Sequence, residues 1–171
     1  MKMTTMLLLL LAPGCMSVLP LPVQAADARR QAEVVQRGAD VMPSSVKAST
    51  HVFTKTPDGG IQRVVAKNAN DAVTAKSVRL HLKDIRQAFL AGDFAGPAHI
   101  HGEDMPGLAT LRAAKPGQVT IDYREVRGGG ELVFRSADAA VVAALHQWFE
   151  AQLSDHGSDA MEGHARHGTA H

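Results

Sequence analysis

The sequence predicts an α+β fold, with a small antiparallel sheet of about four strands and helices packed on one face of that sheet. Two observations lead to this prediction. Two pairs of short segments with strand character flank glycine-rich turns, and two longer segments carry apolar residues at helical spacing. In chain order these elements read ββααββα.

The first hairpin is expected in residues 45–66. Side chains in 46–55 alternate between two faces, with His51 on the face opposite Val52, and this period of two is typical of a strand. Residues 56–60 read Thr-Pro-Asp-Gly-Gly, which favours a tight turn because proline fixes φ and glycine accepts positive φ. The rest of the segment is then expected to return as the second strand.

A long helix is expected next, in residues 70–91. An Asn-Asp pair can cap its start, and Gly92 can end it. A short second helix should begin at Pro106, because proline suits the first helical turn. It should end before residues 115–117. The apolar face of the long helix is expected to carry Ala75, Val78, Leu82, Ile85 and Phe89.

A second hairpin and a last helix complete the predicted domain. Residues 119–123 and 131–135 have strand character, and the glycines between them supply a turn. Ser136 or Asp138 can cap the last helix, which is expected to end near Leu153. One face of this helix should carry Val141, Leu145, Trp148 and Gln152.

Residues 1–25 have the pattern of a cleavable signal peptide, with a positive charge at Lys2, a short apolar core and Val-Gln-Ala at the end. Proline and glycine interrupt the apolar run, and a membrane anchor would need roughly 20 apolar residues without such breaks. Cys15 loosely resembles the attachment site of lipoproteins, but Pro13 is unusual there, and we expect Cys15 to leave with the signal. The expected location is periplasmic or secreted, with no membrane span after cleavage.

The mature chain is expected to have a polar lead in residues 26–44, a single domain in 45–154 and a flexible histidine-rich tail in 155–171. The lead could form a short helix or stay flexible. Cleavage removes Lys2 and no acid, so 17 of the 18 basic residues remain against 17 acidic residues, a balance that gives no reason to expect nucleic-acid binding. Cleavage also removes the one cysteine. A metal site would therefore have to use histidine, methionine and carboxylate.

All nine histidines remain after cleavage, and the densest group lies in residues 99–107. In an extended segment, residues two apart point to the same side, so His99 and His101 could hold one ion, with Met105 close behind. Imidazole with thioether suits copper in either oxidation state, while neighbouring carboxylates keep zinc open. The alternative is a loop with two surface histidines and no site.

Other histidines are candidates of lower rank. The tail that begins near His156 could capture an ion, because histidine-rich tracts often bind metal weakly. His146 lies near Trp148 and Phe149, where a histidine more often packs and hydrogen-bonds. His51 is interpreted as a core or sheet-surface histidine, and His81 as structural. Ten residues of continuous helix span about 15 Å, too far for His146 and His156 to share one ion.

Three separated blocks resemble a family of small exported bacterial proteins that is often labelled aspartate carbamoyltransferase. The blocks are HVFTKT with DGG in 51–60, HG with MPG in 101–107, and LHQWFEAQ with DHG in 145–157. The resemblance covers most of the mature chain, and it adds His51, His101, His146 and His156 as candidates. It carries no catalytic assignment. The Ser-Thr-Arg-Thr-Arg loop by which a true aspartate carbamoyltransferase holds carbamoyl phosphate has no match in this sequence.

The leading hypothesis is a periplasmic metal-binding protein, for copper before zinc, that buffers the ion, confers resistance to it or passes it to a periplasmic metal-handling protein. His101 and His156 rank first as ligands, and His99 and Met105 complete the set. A second hypothesis is an envelope module that binds a small ligand or partner, with incidental histidines. A third is an enzyme with a histidine base, although no nucleophile elbow, phosphate loop or H-E-x-x-H motif is present.

Overall fold

The computed structural model describes residues 23–41 and 46–164. Within these ranges the chain forms α-helices and one β-sheet, with single 3₁₀ turns at Val46–Ala48 and Gly157–Asp159. The elements, in chain order, are α1 (Val23–Val41), β1 (Ser49–Thr56), β2 (Gly59–Ala66), α2 (Ala72–Leu90), α3 (Ala95–His101), α4 (Leu108–Ala113), β3 (Thr120–Val126), β4 (Gly129–Arg135), α5 (Ala139–His156) and β5 (Ala160–Glu162).

The sheet has five strands in the order β3-β4-β2-β1-β5. The two predicted hairpins are present and antiparallel, and β2 and β4 join them in antiparallel pairing. The prediction of a four-stranded, purely antiparallel sheet is wrong, because β5 adds a fifth strand parallel to β1. The pairing of β5 uses backbone groups: the N–H that comes directly after it, from Gly163, donates to the carbonyl of Phe53 at 2.8 Å. This pairing therefore does not require the alternation of apolar and polar side chains by which a strand is predicted from sequence.

The helices α2 and α5 pack against the face of the sheet that carries Phe53, Val64 and Leu132. On the opposite face, arginine side chains pair with acids, as Arg63 does with Glu131 at 2.7 Å. The predicted apolar face of α2 is confirmed, since four of its five residues are buried and Ile85 is partly buried. Rings dominate the core between the sheet and the helices: Phe53, Phe89, Phe94, Phe134, Trp148 and Phe149.

The polar lead contains helix α1, which settles the alternative of a flexible segment for residues 26–41. Val34 of α1 is 1% exposed, and Gln31 donates through Nε2 to the carbonyl of Ser154 at 3.1 Å. Of the predicted signal, residues 1–22 lie outside the described residues, and Cys15 is among them. No helix within the described ranges is long and apolar enough to cross a membrane.

The chain after Leu153 differs from the predicted flexible tail. Helix α5 continues to His156, and β5 comes after one 3₁₀ turn, so the prediction is wrong for residues 155–164. The physical reason is a long-range contact, since Asp155 in the last turn of α5 pairs with Arg30 of α1. Residues 165–171 of the predicted tail lie outside the described residues.

Gly107 marks a point where two backbones approach closely. It precedes α4 with φ of 80°, and a Cβ at this position would lie 2.0 Å from the carbonyl oxygen of Ala144 in α5. Gly117 has nearly the same φ of 82°, but a Cβ there would meet nothing within 4 Å. The two glycines therefore separate the cost of backbone strain from the cost of a clash.

We predict that Gly107→Ala lowers the free energy of unfolding by about 3 kcal/mol or more, because positive φ costs about 1–2 kcal/mol and overpacking adds about 1–3 kcal/mol. Gly117→Ala should show only the first cost. Urea unfolding of both variants measures the difference, and equal losses would contradict the close contact between α4 and α5.

Candidate histidine site

Three histidines from distant parts of the chain meet under α1, and we call them the three-histidine cluster: His51 of β1, His101 of α3 and His156 of α5. The ring centroids of His51 and His156 are 4.4 Å apart, and those of His101 and His156 are 5.2 Å apart. His51 and His101 are 5% and 2% exposed. The proximity of His101 and His156 that the metal hypothesis requires is therefore present.

Each histidine is placed by the end or face of a regular element. His51 lies on the helix-covered face of β1, because it shares the two-residue period of Phe53. His101 is the last residue of α3 and His156 is the last residue of α5. A glycine with positive φ follows each of these two helices and turns the chain away, which leaves both imidazoles at helix ends.

The carboxylate of Asp155 fixes the position of His101. It accepts a hydrogen bond from Nδ1 of His101 at 2.8 Å, and it accepts two from Arg30, through Nε and Nη2, each at 2.9 Å. Arg30 also donates to the backbone carbonyl of His101. Burial alone would raise the pKa of Asp155, but the hydrogen bonds from His101 and Arg30 outweigh it and lower the pKa to about 2. The carboxylate is therefore ionised at neutral pH.

These contacts determine which ring nitrogens keep a free lone pair. An ionised carboxylate only accepts, so Nδ1 of His101 donates to it and Nε2 is the ring nitrogen that faces away from Asp155. Nε2 of His156 lies 3.1 Å from Oε1 of Gln152, an acceptor, so Nδ1 of His156 has the lone pair. This Nδ1 is buried and has no hydrogen-bond partner.

Unpartnered polar atoms concentrate around the cluster. Among the described residues, both ring nitrogens of His51, Nδ1 of His156 and Oε1 of Gln62 are buried without a hydrogen bond. Leaving one buried donor or acceptor unpaired costs about 1–3 kcal/mol. Four such atoms on three neighbouring residues therefore lower the stability of the fold, and they indicate that a ligand or an ion pairs with them when the protein functions.

All of these residues line one cavity of about 90 Å³. Gly38 and Val41 of α1 and Pro97 of α3 contribute to its wall, and Val41 is 38% exposed. No carboxylate and no serine, threonine or cysteine is among the described residues that line the cavity. The lining is therefore apolar apart from imidazoles and amides.

Three of the four imidazoles that line the cavity have lowered pKa values. Burial lowers the pKa of His51 well below its usual value, and the neighbouring His156 lowers it further. Burial, followed by the charge of His101, lowers the pKa of His156 to about 4. Burial also lowers the pKa of His81, which the sequence pattern marks as structural and which lies in the cavity wall. These imidazoles are therefore neutral at pH 7.

Three predicted candidates lie elsewhere. Met105 is 4% exposed within the hydrophobic core. The side chain of His99 is 54% exposed, 3.6 Å from the carboxylate of Asp40. The expectation that His99 and His101 share one side is wrong because they belong to helix α3, where residues two apart point about 200° apart. His146 donates from Nε2 to the carbonyls of Thr56 and Gly59, at 3.1 and 2.8 Å, and so holds the turn between β1 and β2.

No family model matches the chain, and neither do curated proteins or solved structures. Within residues 23–41 and 46–164, no group of three or more His, Cys, Asp or Glu side chains is arranged to hold a metal ion in the present rotamers. The rings of His51 and His156 are stacked, with planes 23° apart, and in this arrangement their lone pairs do not converge on one point. His51 has no hydrogen bond that would oppose rotation of its ring.

We predict that the fold loses stability as pH falls from about 6.5 to about 4. His156 has a pKa of about 4 in the folded chain, and an exposed histidine has one of about 6.5. The unfolded chain therefore takes up the proton first as the pH falls, so the stabilisation that comes from neutral His156 is fully present above pH 6.5. The free energy of unfolding falls by roughly 3 kcal/mol as this stabilisation is lost. His51 acts in the same direction.

Urea unfolding between pH 7 and pH 4.5 measures this effect. His156→Gln should reduce the dependence of the unfolding free energy on pH, and His99→Gln, at an exposed position, is the matched control. Equal pH dependence in the two variants would show that His156 is not held neutral by burial.

Proposed function

We propose that this chain binds a transition-metal ion, copper before zinc, through the imidazoles of His51, His101 and His156, and that it buffers or delivers the ion outside the cytoplasm. One observation carries the proposal: buried lone pairs of neutral imidazoles face one small cavity without partners. A lone pair in such a place is satisfied by a hydrogen-bond donor or by a cation.

The rings of His51 and His156 are in the protonation state that metal binding requires. The lowered pKa values of His51 and His156 mean that these rings resist protonation at pH 7, while metal binding requires neutral imidazole. Asp155 supports this role, because a carboxylate that accepts from the far nitrogen of a ligating histidine fixes its orientation and raises its basicity. Arg30 in turn holds the carboxylate.

The choice of metal depends on the ligand set. Met105 lies in the core, so the thioether that first suggested copper does not contribute. Imidazole suits both copper and zinc, and a given site generally binds Cu²⁺ more tightly than Zn²⁺. Copper therefore remains the first choice and zinc the second. The extracytoplasmic role rests on the signal-like pattern of residues 1–25.

A second candidate function is favoured by one specific contact. Asp155 accepts from Nδ1 of His101, so Nε2 is the nitrogen at which this ring would take up a proton from a substrate, the arrangement that general-base catalysis uses. The described lining of the cavity holds no serine, threonine, cysteine or lysine that such a base could activate as a nucleophile. A substrate or water would have to supply the nucleophile. Turnover that persists with a chelator present would favour this candidate.

We predict that the chelator-treated mature protein binds one equivalent of Cu²⁺ at pH 7. Trp148 is the one tryptophan of the chain and lines the cavity, so quenching of its fluorescence reports binding. Asp155→Asn should weaken the affinity by about 10- to 100-fold, as changes behind a ligating histidine do, and His156→Gln should weaken it further. Zn²⁺ is measured by competition with a chromophoric chelator.

Two controls separate this site from the other histidines. His99→Gln should leave the affinity unchanged, because His99 is exposed and apart from the cavity. Replacement of His164, His167 and His171 together by Gln should remove only weak binding. Equal affinity in His99→Gln and His156→Gln, or an absence of saturable quenching in the unaltered protein, would overturn the proposal.

A further inference from the structure

A second cavity, of about 230 Å³, lies beside the histidine cavity. Phe89 of α2 and Trp148 of α5 line both cavities, so these two side chains stand between them. The second cavity does not contain any residue of the three-histidine cluster. It is therefore a separate site, and a ligand held there would need no metal in the histidine cavity.

The floor of this cavity is apolar. Aromatic and aliphatic side chains from α2, α4, α5, the sheet and the residue that precedes α3 form it, and all are buried. They are Phe89, Phe94, Leu111, Ile121, Phe134, Leu145 and Trp148. Phe89 and Trp148 meet edge to face with ring centroids 5.5 Å apart, an arrangement that aromatic pairs prefer.

The rim of the cavity is open and contains a free cation. Leu90, 44% exposed, lies on one side, and residues 115–117 lie on the other. The side chain of Lys115 has no ion pair within the described residues, while its backbone N–H is held by Oε1 of Gln118 at 2.9 Å. Asp93, which lies between Gly92 and Phe94 of the cavity lining in the chain, interacts electrostatically with Arg112. A positive charge therefore stands at the mouth of an apolar cavity.

The size of the cavity limits what can enter. An apolar cavity of about 150 Å³ lined by Leu, Ile and Phe is enough to bind benzene. A cavity somewhat larger accommodates a single ring with a short substituent. The aromatic floor favours a ring, since rings pack edge to face or offset on one another.

We propose that this cavity binds a small carboxylate with one aromatic ring, with the ring on Phe89 and Trp148 and the carboxylate at Lys115. The volume of the cavity limits the ligand to one ring with a short substituent, the aromatic floor favours the ring, and the ammonium of Lys115 favours the carboxylate. The buried Nε1 of Trp148, which has no hydrogen-bond partner among the described residues, belongs to the same wall.

Phenylacetate is the probe for this site, and 2-phenylethanol is its uncharged counterpart. The full mature chain is titrated with each compound in the presence of a chelator, and Trp148 fluorescence is recorded. A saturable change with phenylacetate is expected, with affinity about two- to five-fold higher than for 2-phenylethanol, as an exposed ion pair gives. Lys115→Gln should remove this preference.

A matched pair of variants locates the binding. Ala114→Phe fills the cavity from its rim and should weaken phenylacetate binding by more than ten-fold, a loss of about 1.4 kcal/mol. Ala113→Phe, at the exposed neighbouring position outside the cavity, should bind as the unaltered chain does. Thermal melting followed by circular dichroism checks that both variants fold.

A readout on the unaltered chain complements the variants. The backbone amides of Gly92 and Gly117 at the rim should shift in ¹H–¹⁵N spectra on addition of phenylacetate, while that of Gly157 beside the histidine cluster should not. Three results would each overturn the proposal: absence of these shifts, equal binding of phenylacetate by Ala114→Phe and Ala113→Phe, or equal affinity of the unaltered chain for the two probes.

Discussion

The carboxylate of Asp155 is the contact on which the site depends. It joins α5 to α1 through Arg30 and to α3 through His101, three helices that are separated widely along the chain. The side chain of Asp155 is 8% exposed, so its charge would be costly without both partners. The same three hydrogen bonds tie α1 and α3 to the end of α5 and hold Nδ1 of His101 against the carboxylate. Structure and chemistry therefore share one buried carboxylate.

Local pattern predicts the regular elements well where one short-range signal dominates. The apolar spacing of α2 and its cap at Asp71, which accepts from the N–H groups of Val73 and Thr74, depend on neighbouring residues alone. The two hairpins depend on period-two segments and glycine turns. Strand β5 and the last turn of α5 could not be found this way. Their stability comes from β1 and from Arg30, which lie about a hundred residues earlier.

The composition of the site is predictable only in part. His101 and His156 rank first by sequence, and they meet. His51 is expected to pack within the sheet, and it does so against His156, which sequence spacing alone cannot reveal. His99 and Met105 join the predicted set only if residues 98–104 are extended, whereas a short helix directs them elsewhere. His81 has no signal beyond its place at the border of the apolar face of α2.

The position of β5 has a consequence for how this sheet meets other chains. An uncovered strand edge offers its backbone groups to any extended segment, and charge or a covering strand prevents such pairing. Strand β3, at one edge, carries charged residues such as Asp122 and Arg124 on its outer face. At the other edge, β5 covers only residues 51–53 of β1. A strand that paired along the whole of β1 would have to displace β5, which begins four residues after His156, and this displacement would also open the three-histidine cluster.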